Sequence, residues 1–135
     1  MRHDIDFSLI KALKFAELEH GLGVASTYFV LLSTDFYNPA SAKSIDIIHR
    51  IAKLGHGIGL HFDEKKYKLA NGGGVIKHIL RESHVLSKII DMPISTVSMH
   101  RPTKQMLEAN LQIPGVINSF SFTFIHNFKY LTDSR

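Results

Sequence analysis

One run of residues narrows the fold before anything else is read. Ala25 to Leu32 (ASTYFVLL) is almost unbroken in apolar, β-prone residues. A strand with water on one face alternates polar and apolar, so a run without alternation has to be buried on both faces. Sheets covered on both sides are the parallel ones, whose strands are joined through crossover helices. The residues around this run supply such helices. Ser8 is placed to cap a helix to about His20, with Leu9, Leu13, Ala16 and Leu18 as its apolar stripe and Glu17 and Glu19 among its polar positions. Gly21 and Gly23 stop it. A second helix is predicted from about Ser41 to Leu54, with Ile45, Ile48, Ile51 and Ala52 on one face, and Gly55 ends it.

Gly57 to Phe62 (GIGLHF) reads as a short strand with glycines where backbones come close. Asp63 to Gly74 is polar and ends in three glycines, so a mobile loop is expected. A third helix is predicted over Val75–Ile90, with Val75, Ile79, Leu86 and Ile90 apolar. Pro93 turns the chain into a strand over Ser95–Met99, closed by His100-Arg101-Pro102. Thr103 caps a short helix over Lys104–Ala109, and Val116-Ile117 and Phe120–Ile125 are short β-prone pieces. Met1 to Asp6 reads as the end of a first strand. Strand and helix in regular alternation predict an α/β fold with a parallel sheet. The length of 135 residues suits a single domain, 1–135. The chain opens at a strand end and closes near one, so it is expected to be incomplete at both ends, with open sheet edges that invite self-association.

Composition removes several functions. No apolar run approaches the roughly 20 residues of a membrane span. No charged segment precedes an apolar one as in a secretory signal, so a cytoplasmic location is the expectation. There is no cysteine, which excludes disulfides and thiolate metal sites and leaves any metal to His, Asp or Glu. The net charge is +4, but the lysines are scattered along helices rather than gathered into a nucleic-acid footprint.

The chemistry-bearing residues fall at the ends of the predicted strands. Asp4 and Asp6 lie two apart and so point to the same side of a strand, just before a helix begins. Two adjacent carboxylates repel unless a cation or an arginine relieves them, and Arg2 and His3 are near in sequence. Capping the following helix is the alternative reading of the pair. His61 ends the strand Gly57–Phe62 and is followed by Asp63, and His100 follows the strand Ser95–Met99. In a parallel sheet these ends share one edge, so two carboxylates and two histidines distant in sequence converge. Asp with two His is a common ligand set for zinc or another divalent metal, and a further carboxylate beside it is placed to accept a proton from water. Isolated polar caps at strand ends are the alternative. His20, His49, His78 and His84 read as solvated or capping. His56, between a helix end and a strand start, reads as structural and, if protonated, suited to the helix dipole. His3 is expected on the other side of its strand, packing or orienting a carboxylate.

Arg2-His3-Asp4-Ile5-Asp6, Thr27-Tyr28-Phe29, the stretch Gly55–Asp63 (GHGIGLHFD) and Ser98-Met99-His100-Arg101-Pro102 resemble the polysaccharide deacetylase (NodB-homology) superfamily. The nearest likeness is to its branch with an HDxD first motif. It runs over essentially the whole chain, in the family's motif order. The resemblance implies an irregular (β/α) barrel, here partial or truncated. It implies removal of N- or O-acetyl groups from sugars with a divalent metal, most often zinc. It implies Asp4 as general base, Asp6 as metal ligand and His61 as the first metal histidine. There are departures. The family's second histidine, four residues after the first, is Lys65 here, and His100 is the natural replacement. The arginine that contacts the base is expected at Arg101. Tyr130–Ser134 resembles the family's fourth motif, with Asp133 as the partner of that arginine. A later histidine, the general acid, has no clear match, and His126 is a weak stand-in. Phe36 and Tyr37, in the loop after the second strand, either line a sugar-binding groove or pack the loop. The functions left in play are a metal-dependent hydrolase acting on an acetylated carbohydrate, a catalytically inactive metal- and glycan-binding domain of the same fold, and a purely structural α/β domain.

Overall fold

The computed structural model describes residues 1–67 and 74–122. In order it contains β1 (Arg2–Ile5), α1 (Leu9–Gly21), β2 (Thr27–Leu31), α2 (Ala42–Lys53), β3 (Gly57–Phe62), a 3₁₀ turn (Glu64–Tyr67), α3 (Val75–Ile90), β4 (Thr96–Met99), α4 (Lys104–Glu108) and β5 (Ile117–Asn118). The strands form one open sheet in the order β1-β2-β3-β4-β5, and every neighbouring pair is parallel. Each new strand joins at the same edge, as in a portion of a NodB-type (β/α) barrel.

The helix starts follow the caps in the sequence. Ser8, Ser41 and Thr103 each accept a backbone N–H three residues on, an arrangement that stabilises a helix by about 1 kcal/mol. The core lies on one face of the sheet. Tyr28, Val30, Ile58, Leu60, Phe62 and Val97 pack there against Leu9, Leu13 and Ala16 of α1, Ile47, Ile48 and Ile51 of α2, and Ile79, Leu86 and Ile90 of α3. The intervening strand residues, among them Phe29, Leu31, His61 and Ser98, are buried outside that cluster, on the other face. This second face leads to the polar residues at the strand ends.

Several local expectations are corrected. Leu18 is exposed and Glu19 is buried. Leu18 stands nine residues from Leu9, about two and a half helical turns, and so points the opposite way. In α2, Ile47 joins Ile48 and Ile51 in the core, Ala52 packs against its margin as expected, and Ile45 is only partly buried. The loop after β3 begins with the ordered 3₁₀ turn, in which Tyr67 stacks on Phe62, and residues 68–73 lie outside the described residues. His56 is buried, with Nδ1 accepting the Ser26 N–H at 3.2 Å and Nε2–H donating to the Ala16 carbonyl at 2.9 Å. An imidazole that accepts at one nitrogen is neutral, so it binds α1 by hydrogen bonding rather than by charge.

His3 does orient a carboxylate. It meets Glu19 at 2.7 Å, and Glu19 also accepts from Tyr28 at 2.7 Å and Ser26 at 2.9 Å. Burial pushes the Glu19 carboxyl up, but the hydrogen bonds from Tyr28, His3 and Ser26 outweigh it and hold the group below its ordinary value. The ionised carboxylate ties α1 to β1 and β2.

Gly59 sets the spacing of the second face. A Cβ there would lie 2.5 Å from the Phe29 ring and 2.5 Å from Thr96 Oγ1. Gly59→Ala is expected to destabilise the chain by about 1–3 kcal/mol, lowering the melting temperature by roughly 5–15 °C in a thermal scan. An unchanged melting temperature would show that Phe29 moves aside without penalty.

Candidate metal centre

The site is assembled at the carboxyl ends of β1, β3 and β4. Arg2 and Asp4 lie two apart in β1 and share a side, and Asp6 follows just past the strand. His61 is the penultimate residue of β3. His100 follows β4, and its N–H donates to the Phe62 carbonyl at 2.8 Å, which fixes its backbone beside β3. The parallel register therefore brings together residues far apart in sequence.

Asp6 Oδ1 lies 3.3 Å from His61 Nε2 and 3.2 Å from His100 Nδ1, and the two ring nitrogens are 3.0 Å apart. A tetrahedral zinc with ligands at about 2.0–2.1 Å has ligand atoms about 3.3–3.4 Å apart. The triangle is thus close to one face of such a coordination shell. Asp6 Oδ1 is also buried without a hydrogen-bond donor among the described residues. Such an atom is unfavourable unless a cation meets it. The three side chains form a group able to hold a metal ion.

The electronic state of His61 suits this. Its Nδ1–H donates to the Ser98 carbonyl at 3.3 Å, which leaves the Nε2 lone pair on the triangle. Burial holds its pKa below the ordinary histidine value, against the pull of the Asp4 and Asp6 charges, so it is neutral at pH 7. His100 has a competing partner, because Arg101 Nε–H donates to its Nε2 at 2.9 Å. A guanidinium only donates, so His100 Nε2 accepts here. Coordination through Nδ1 requires the proton on Nε2, and the Arg101 contact is the alternative to it. Arg101 is exposed, so its side chain can swing outward.

Asp4 is not held by the arginine expected. Arg101, whose φ is 46°, donates to His100. Arg2 donates to Asp4 Oδ2 at 3.0 Å instead, and the Ser98 hydroxyl donates to Oδ1 at 2.9 Å. Arg2 is one of the residues named beside the carboxylate pair in the sequence, whereas Ser98, two before His100, carries no such signal. Lys65, where the resemblance expects a histidine, is exposed, and its N–H bonds Asp63 Oδ1.

A cleft of about 490 Å³ opens over the cluster, lined by Asp4, Asp6, His61, Asp63, His100 and Arg101, with Ser33, Thr34 and Asp35 on one wall. Phe36 is exposed on its rim and meets Phe7, also exposed, edge to face at 4.6 Å. Tyr37 does not line it. Its hydroxyl donates to the Ile5 carbonyl at 2.8 Å and accepts the Leu31 N–H at 3.0 Å, which joins the ends of β1 and β2. Burial raises the Tyr37 phenol and keeps it protonated. Of the other histidines, His20 bonds the Leu54 carbonyl and His78 stacks on Tyr67. Asp133, the Tyr130–Ser134 motif and His126 lie outside the described residues.

No family model matches the chain, and no curated protein does. Among solved structures, its fold is similar to the Xyl-CE4 domain of a multidomain xylanase from the hindgut metagenome of Trinervitermes trinervoides, with a TM-score of 0.58 and 12% identity. The match covers 84% of this chain and 53% of the other, so the chain spans about half of that domain. Among the described residues no helix is long and apolar enough to cross a membrane.

Proposed function

We propose that this chain belongs to the NodB-homology superfamily and is a metal-dependent hydrolase that removes acetyl groups from a polysaccharide or amino sugar. One observation carries the reading. The buried Asp6 Oδ1, without a hydrogen bond among the described residues, faces His61 and His100 nitrogens at 3.3 and 3.2 Å, beside a second carboxylate held in place. The fold likeness to a CE4 domain supports the same reading, as does the motif order of the sequence.

In this proposal Asp6, His61 and His100 hold the ion, and zinc suits a cysteine-free set of two imidazoles and one carboxylate. Zinc bound there supplies Lewis acidity toward an acyl carbonyl and an attacking water. Asp4 accepts the proton of that water. Arg2 and Ser98 keep Asp4 oriented. Phe36 and Phe7 offer an apolar rim on which a sugar ring can lie.

The second reading, a catalytically inactive metal- and glycan-binding domain, is favoured by the composition of the cleft. Among the described residues its lining holds no histidine besides the two proposed ligands to protonate a leaving group. Acetate release separates the two. The zinc-loaded chain is expected to free acetate from an acetylated chitooligosaccharide or a chromogenic acetate, and to stop on chelation. Stoichiometric zinc and oligosaccharide binding without acetate release would establish the binding domain instead.

A further inference from the structure

We infer that Arg2 is the positioning residue for Asp4, and that the turn after β5 seats it. This rests on the reading of Asp4 as the base. Among the described residues the guanidinium meets Asp4, Ser119 and Phe120. Nη2–H donates to Asp4 Oδ2 at 3.0 Å, Nη1–H reaches Ser119 Oγ at 3.4 Å, and Cζ lies 4.5 Å above the centre of the Phe120 ring. Ser119 and Phe120 follow the last strand, at the edge of the sheet opposite β1. The side chain thus spans from the first strand to the segment after the fifth, and its position is set from both ends.

The chemistry favours arginine here over any other cation. A planar fork can donate to a carboxylate through one nitrogen, to a hydroxyl through another, and lie flat on an aromatic ring. An ammonium is a point donor that does not stack as a plane. With Ser98 on Oδ1, each Asp4 oxygen receives one hydrogen bond from the described residues. A carboxylate has about four lone-pair directions, so each oxygen keeps one from which to accept a proton. Asp4 is thereby fixed in rotation without being saturated.

The bland reading is an ion pair of no consequence. The Arg2 and Asp4 side chains are each 24% exposed, and a pair so exposed contributes little to stability. The two readings differ in what the pair does to turnover. A base misplaced by about 1 Å loses up to about 100-fold in rate, whereas a surface ion pair can be removed without effect on turnover.

The test compares the zinc-loaded full chain with Arg2→Met, Arg2→Lys and Phe120→Leu. Zinc content, kcat and KM on an acetylated chitooligosaccharide, and crystal structures are measured. In Arg2→Met, kcat is expected to fall about 10- to 100-fold with KM and zinc content unchanged. Arg2→Lys restores part of the loss. Phe120→Leu keeps apolar bulk but removes the ring face, and gives a smaller loss of the same kind. In the Arg2→Met crystal structure the Asp4 carboxylate turns from its parent rotamer or divides between two. A parent rotamer retained at Asp4 overturns the inference whatever the assay gives, and so does unchanged kcat. A rise in KM alone makes Arg2 a substrate contact and also overturns it. If the parent frees no acetate, the functional reading fails separately, and the Asp4 rotamer still decides the role of Arg2.

Discussion

His100→Ala is expected to bind zinc about 100-fold more weakly than the parent chain, and His61→Ala to lose it to a similar degree. Apparent zinc-binding energies of about 10–16 kcal/mol, shared among four ligands, give roughly 3 kcal/mol for each, or about a factor of 100 in affinity. The two histidines are not equivalent in what their loss leaves behind. Without His61, the Ser98 carbonyl loses the N–H it accepts and a buried side chain is gone from β3, so stability falls with affinity. His100 follows β4, so its loss leaves the side chains of the strands in place, and the melting temperature of the zinc-free chain should change little. His56→Ala is the control. It removes a buried histidine far from the cleft and should lower stability while leaving zinc affinity unchanged. Competition against a chromogenic chelator measures all of these. Full stoichiometric binding by His100→Ala would remove that residue from the ligand set and direct attention to Asp63, which lines the same cleft.

That the site could be located from sequence at all follows from parallel topology. Strands that run one way end on one edge, so His61 and His100 could be placed beside the first strand without any knowledge of their rotamers. The elements were legible for a similar reason. Ser8 and Thr103 cap helices where capping residues were read, the second helix begins at Ser41 as expected, and α3 spans Val75–Ile90 as its periodicity predicts. Pairing between side chains was not legible. Arg101 has the residue type expected of a base partner, yet it has a positive φ and its side chain donates to His100, and nothing in the sequence announces either. Arg2 was legible as a cation near the carboxylate pair, but not which oxygen it meets. Its seat on Phe120 depends on how far the sheet curls, a property of strand twist rather than of any motif. Glu19 was misplaced because a polar group among apolar ones was taken as exposed, and for Tyr37 the loop-packing alternative holds rather than the groove-lining one. Each instead satisfies a buried network, Glu19 with His3, Ser26 and Tyr28, and Tyr37 with two backbone groups.

Asp4→Asn is expected to lower kcat for acetyl removal by about 100-fold or more while leaving zinc bound. The substitution keeps the shape of the side chain. Its amide oxygen can still take the Arg2 N–H, and its NH₂ can donate to the Ser98 hydroxyl, which rotates to accept. What disappears is the capacity to take a proton from the attacking water. Asp4 lies outside the triangle of nitrogens and oxygen that frames the ion: its Oδ1 is 3.9 Å from His61 Nδ1, the nitrogen turned away from the triangle. Asp6→Asn behaves differently. Asp6 Oδ1 is the buried oxygen that meets both ring nitrogens, and an amide in its place removes the only anionic member of that group, so zinc and activity should be lost together. Both variants are assayed on the same acetylated chitooligosaccharide, with zinc content measured on the same samples. Zinc lost from Asp4→Asn but kept in Asp6→Asn would exchange the two roles. Full rate and full zinc content in both would leave neither carboxylate in the chemistry, and the cluster would then be a set of polar caps at the ends of a parallel sheet.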